Sequence, residues 1–201
     1  MSTVTPPVDE GRLRVESHEP LQRRRLVVLL RAVLFTPHYV VIAVWTLLAA
    51  PAVAIAWLAL LVEARLPSWL DRFIAAYVRY LGQAMGWLYL LSGRYPDPLH
   101  TREHPFSIEI LERPRQSRLL TLFRLPFAVP AIVLASVFRV VLSLAGLAAW
   151  FTGLALGRTT AGLQELGTFC LRYELETLAY VLLLSPRYPR LRPAGVTAAT
   201  E

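Results

Sequence analysis

Lysine and asparagine do not occur in this chain of 201 residues, and cysteine occurs once. A lone Cys170, set in an apolar stretch, excludes a disulfide framework and suits a small packing residue. With no Lys, all basic residues are Arg, and the abundance of Ala, Leu and Pro fits the coding bias of a GC-rich bacterial genome. Charge is scarce as well: charged residues make up 17% and hydrophobic ones 55%, with the charges gathered into blocks. A soluble domain needs charge on every side, so this clustering predicts lipid over much of the exterior. Met1 to Glu19 has no apolar core behind a basic end, so the first apolar segment is expected to direct insertion.

What is present follows one order twice. After a tail over 1–11, expected to be disordered, Arg12 to Glu16 alternates polar and apolar residues as a short strand does. Arg23, Arg24, Arg25 and Arg31 follow, and then Tyr39 to Val62 runs without a charge. A helix needs about 20 residues to cross the hydrocarbon core, so this run predicts a spanning helix over about 33–62, kinked at Pro51. A second, amphipathic helix is expected over 67–92, ended by Arg94-Tyr95-Pro96. A linker over 97–104 leads to a second strand near 106–112 and to the basic residues Arg113, Arg115, Arg118 and Arg124. Helices over about 125–156 and 161–184 then close on Arg187-Tyr188-Pro189, before a tail over 190–201 that is again expected to be disordered.

Adding 93 to a residue number carries 12–96 onto 105–189 without a gap, with about 23 identities in 85 positions. Arg31 falls on Arg124, Pro37 on Pro130, Trp57 on Trp150, and the Ser-x-Arg-Tyr-Pro ending on its copy. The chain is therefore read as a tandem duplication. The fold class predicted is an all-α membrane protein: four transmembrane helices as two hairpins, with short cytoplasmic strands. Arg is dense before the first helix, in the central linker and after the fourth helix, while the turns at Arg65 and Arg158 hold little net charge. The positive-inside rule then places both termini and the linker in the cytoplasm. Two crossings per unit predict a parallel repeat about an axis along the membrane normal. Two rival arrangements lay the second helix of each unit at the interface, or bend the segments at Pro51 and near Gly146 into re-entrant hairpins.

Ionisable groups at membrane depth are costly and mark candidate sites. Arg72, Arg79 and Gln83 share one helical face, repeated by Glu165, Arg172 and Glu176. That face either binds an anion, headgroup or partner helix, or is a snorkelling Arg beside a structural ion pair. Arg139 and Glu176 are both charged where the first copy has Thr46 and Gln83, and hairpin depth sets them level, which predicts a salt bridge. His38, after Pro37, is expected at the interface rather than in a proton relay. His100-Thr-Arg-Glu-His104 matches an H-x-x-E-H zinc pattern, but Pro96, Pro98 and Pro105 crowd it, so no metal is predicted. No cofactor and no nucleic acid are expected, since no aromatic-and-basic motif accompanies the net charge of +7. The expected partners are anionic lipid headgroups at the Arg clusters and a membrane protein.

The pattern Arg31-x5-Pro37-His38, a long apolar helix, and an amphipathic helix closing on Leu-Leu-Ser-Gly-Arg-Tyr-Pro96 resembles a bacterial membrane-protein family, domain-of-unknown-function 4389 (DUF4389). The resemblance covers both units, and the Arg-Tyr-Pro ending is its most specific part. Members also carry Gly-Arg-Tyr-Pro between their two helices; here that place reads Ala64-Arg65-Leu66-Pro67 and Gly157-Arg158-Thr159-Thr160. The second copy has Ala131 in place of His38. The resemblance implies the tandem membrane architecture and no activity. The chain is expected to be a non-enzymatic plasma-membrane accessory or scaffold; the alternative is a small transporter or channel for an anionic solute between the repeats.

Overall fold

The structure, a computed structural model, describes residues 13–15, 25–63, 65–97, 108–110, 121 and 123–191. The first tail, residues 192–201 of the second, the His100–His104 segment and most of the linker lie outside these residues. Among the described residues four helices and two strands are β1 (Leu13–Val15), α1 (Arg25–Glu63), α2 (Ser68–Leu88), β2 (Ile108–Ile110), α3 (Arg124–Leu156) and α4 (Ala161–Val181). The strands pair antiparallel with Arg14 opposite Glu109, and the ribbon crosses over, β1 lying against α4 and β2 against α2.

α1 begins eight residues before the expected start at 33, because Arg25 and Arg31 interrupt the apolar run without breaking the helix. At 1.5 Å per residue α1 is about 58 Å long and α3 about 50 Å, whereas α2 and α4 are each about 31 Å. Both long helices are long and apolar enough to cross a membrane. Only 17% of the most apolar window of α1 and 22% of that of α3 are buried, unlike the core helix of a soluble protein. Leu47, Val33, Val62, Leu144 and Val133 are each more than 60% exposed. The less apolar helices lie inside: Leu70, Ile74, Val78 and Tyr80 of α2 and Cys170, Leu171, Leu175 and Ala179 of α4 are at most 2% exposed. One apolar cluster joins all four helices, from Ala49, Ala56 and Leu60 through α2 and α4 to Leu142. An exterior more apolar than the interior is stable only where the surroundings are themselves apolar.

Within each repeat the helices form an antiparallel hairpin, and the relation between the hairpins differs from the expected parallel repeat. Arg25 donates to the carbonyl of Ala155 at 3.1 Å, and the indole N–H of Trp150 donates to that of Val28 at 2.9 Å. The start of α1 therefore meets the end of α3. The chain leaving α2 meets the start of α4: the Gln164 amide donates to the Leu91 carbonyl at 3.5 Å, and Leu91 fills the space at Gly167. The open end of the first hairpin thus packs on the turn end of the second, so the repeats run antiparallel. Side-chain volumes follow this contact. A Cβ at Gly146 would lie 2.5 Å from Cδ1 of Tyr89; the equivalent pair in the other register is Val53 and Leu182, two medium side chains in place of one large and one absent. Charge distribution along the sequence does not report which end of one hairpin packs on which end of the other.

Candidate functional site

The most specific polar constellation occurs twice. Each second helix ends in a left-handed leucine, Leu90 at φ 60° and Leu183 at φ 66°. In the first copy the N–H groups of Leu91 and Ser92 both donate to Gly86 C=O, at 2.9 and 3.0 Å, and Leu90 N–H donates to Trp87 C=O at 3.2 Å. In the second, Leu184 and Ser185 donate to Ala179 C=O and Leu183 to Tyr180 C=O, at 3.0, 3.2 and 3.2 Å. This is the Schellman ending of a helix, built on Leu where Gly is usual. The chain then turns through Ser92, whose hydroxyl accepts the Arg94 N–H at 3.2 Å, as that of Ser185 accepts the Arg187 N–H at 3.3 Å.

A buried arginine from the first helix closes each ending. Arg31 donates to the carbonyls of Trp87 and Ser92, and its guanidinium lies 4.5 Å from the centre of the Trp87 ring. Arg124 donates to the Ser185 carbonyl and lies 4.5 Å from the centre of the Tyr180 ring. A cation at a helix C-terminus meets carbonyls that lack intrahelical partners, and an aromatic face adds attraction where water is excluded. Tyr95 packs edge-on against Trp87 at 5.2 Å and Tyr188 against Tyr180 at 5.6 Å, which explains why Arg-Tyr-Pro follows both endings. Arg31 and Arg124 belong to the basic clusters of the sequence, and the structure buries them at 2% and 3% exposure. Their identity at a spacing of 93, together with that of the ending they hold, was the signal available for this role.

The first copy adds a histidine. His38 is 5% exposed, so it is packed inside the protein. Its Nδ1 is 2.6 Å from the Tyr80 hydroxyl, and its ring lies among Phe35, Tyr80, Trp87 and Tyr95, closest to Tyr95 at 4.5 Å between centres. The Tyr95 hydroxyl donates to the Leu34 carbonyl at 3.2 Å, tying the ending to α1. Proline explains the placement only in part: Pro37 is exposed, and its neighbour His38 turns to the face shared with Arg31 and Phe35. The second copy has Ala128 and Ala131 in place of Phe35 and His38, so the polar pair exists in one repeat only.

Arg72 is exposed and donates to the Ser68 carbonyl at 3.2 Å, Arg79 is half-buried and Gln83 is buried. Arg172 pairs with Glu176 one turn on at 2.9 Å, Glu176 also accepts the Arg190 N–H at 3.2 Å, and Glu165 is exposed. Arg139 bonds Glu174, not Glu176. Glu174 lies within about half a turn of the depth of Glu176, but two residues on an α-helix are about 200° apart, which carries Glu176 to the opposite face. In the first copy the same position is also a bridge between helices: Thr46 lies 2.9 Å from the Tyr77 hydroxyl. Arg94, Tyr95, Arg187 and Tyr188 are exposed at the hairpin ends, while Pro96 and Pro189 are buried.

The family described as Domain of unknown function (DUF4389) matches residues 25–100 and again residues 118–191. The chain belongs to this family. Both DUF4389 segments contain a complete clamp, from Arg31 to Tyr95 and from Arg124 to Tyr188. The repeated clamp is therefore a property of the DUF4389 unit in this chain, and the His38–Tyr80 pair distinguishes its first copy. No curated protein and no solved structure matches the chain.

Proposed function

We propose that this DUF4389 protein is a non-enzymatic component of the bacterial plasma membrane that acts as an accessory or scaffold for lipid or protein partners. The observation that carries the reading is the inverted burial pattern: the two most apolar helices are outermost, and the amphipathic pair is packed inside. Basic residues stand at the ends of both hairpins, where Arg65, Arg94, Arg158 and Arg187 are exposed to anionic headgroups, and the cytoplasmic leaflet is the anionic one. The strand ribbon and the linker belong on that cytoplasmic side by their charge. The apolar cluster shared by all four helices favours a packed bundle over a solute path between the repeats, so the transport alternative has less support. The buried polar groups also read more readily as structure than chemistry, since each Arg clamp binds backbone carbonyls of its own repeat.

The test is expression with an affinity tag, alkaline carbonate washing of the membranes, and purification from native membrane with its bound lipid and protein. The protein should stay in the washed membrane and carry anionic phospholipid or a defined membrane protein in stoichiometric amount. Release by carbonate would remove the membrane reading. Solute-dependent flux in proteoliposomes, abolished by Arg79→Ala or Arg172→Ala, would favour transport instead.

A further inference from the structure

From the antiparallel packing of the repeats we infer that both hairpins are seated in one leaflet, with both turns and both open ends on the same aqueous face. The inference rests on the membrane reading above and specifies how the chain lies in the lipid.

The contacts of Arg25 with Ala155, Trp150 with Val28 and Gln164 with Leu91 fix the open end of the first hairpin at the turn of the second. α2 and α4 are each about 31 Å long, roughly the thickness of the hydrocarbon core. If the hairpins stood across the bilayer, Arg94 and Arg187 would emerge on opposite sides. The chain joining α2 to α3 would then have to pass through lipid. That segment carries Asp97, Arg102, Glu103, Glu109, Glu112, Arg113, Arg115 and Arg118. A charged side chain is costly at mid-depth, and a segment carrying eight of them would meet that cost repeatedly. Strand β2 also lies in this segment and pairs with β1, and an open two-stranded ribbon leaves edges that hydrocarbon cannot satisfy.

Seated along one leaflet, the same packing meets no such penalty. The outer surfaces of α1 and α3 enter the acyl region, and their lengths of about 58 and 50 Å, too long for an upright span, become the long axis of the footprint. The ribbon, which lies against α2 and α4, stays at the headgroup level or above it. Arg65, Arg94, Arg158 and Arg187, exposed at the four corners, can all reach the phosphates of a single leaflet. The occupant of the apolar face is therefore one leaflet of an anionic bilayer.

The experiment is single-cysteine labelling in a Cys170→Ala background, with Arg65→Cys, Arg94→Cys, Arg158→Cys and Arg187→Cys introduced one at a time. Right-side-out and inverted bacterial membrane vesicles are treated with a membrane-impermeant maleimide, and retention after carbonate washing shows that each variant is still integrated. All four positions should label in inverted vesicles and lose labelling in right-side-out ones. Labelling of Arg65→Cys and Arg187→Cys from the opposite side to Arg94→Cys and Arg158→Cys, as hairpins standing across the bilayer require, or any other two-sided pattern in protein that survives carbonate, would overturn the single-leaflet seat and leave the membrane reading intact. Release of the unsubstituted protein by carbonate would overturn both.

Discussion

Arg31 and Arg124 carry full positive charge into sites at 2% and 3% exposure, and what they meet there is backbone carbonyl and aromatic face. A hydrogen bond to a charged group contributes about 1.5–3 kcal/mol, and a carbonyl left buried without a partner costs about 1–3 kcal/mol. Arg31→Met should therefore lower stability by about 2–4 kcal/mol in detergent-solubilised protein, read from thermal unfolding. The exposed Arg65, changed to Met, should stay within about 0.5 kcal/mol. Leu90 shows two effects opposed at one residue. Its left-handed backbone costs about 1–2 kcal/mol, which glycine would relieve. Its side chain is 2% exposed and packs over Gly153 beside Val28, and losing a buried leucine costs about 2–5 kcal/mol. Burial wins, so Leu90→Gly should destabilise by roughly 1–3 kcal/mol despite the better backbone match.

At the scale of elements, complementarity between hairpins resides in a few volume pairs. Gly146 accepts Tyr89 where the equivalent Val53 corresponds to Leu182. Gly146→Val alone should overpack the contact and cost about 1–3 kcal/mol. Tyr89→Leu in the same chain recreates the other register's pair and should recover much of that loss, giving a coupling of at least about 1 kcal/mol in a double-mutant cycle. Additive losses would show that these side chains do not share a contact. The apolar runs and the duplication were legible at this scale, since periodicity and a constant spacing are properties of the chain itself. The partner of Arg139 was not, because depth along a hairpin can be counted in residues whereas the facing side depends on helix rotation. The partners of His38 were hidden for a similar reason. Its place after Pro37 at the helix entrance suggested an interface, and only packing reveals that Phe35, Tyr80, Trp87 and Tyr95 enclose it.

For the whole molecule, the decisive feature is that two copies of one DUF4389 unit pack open end to turn end, with the most apolar surface outward. Sequence could indicate the copies and their apolarity, but charge gave a parallel relation that the contacts reverse. The membrane seat, the single-sided exposure of the corner arginines and the size match at Gly146 all depend on that reversal. Disulfide trapping tests it most directly. Val28 lies against Gly153, with Cγ1 3.5 Å from where a Cβ would stand, so Val28→Cys with Gly153→Cys in a Cys170→Ala background brings two sulfurs within bonding reach. A parallel repeat would instead set Val28 level with its equivalent, Thr121. With a protease site in the linker, mild oxidation should keep the two halves of the Val28–Gly153 cysteine variant joined on a non-reducing gel and leave those of a Val28–Thr121 variant separable. Halves joined through Val28 and Thr121, and free in the Val28–Gly153 variant, would contradict the antiparallel arrangement.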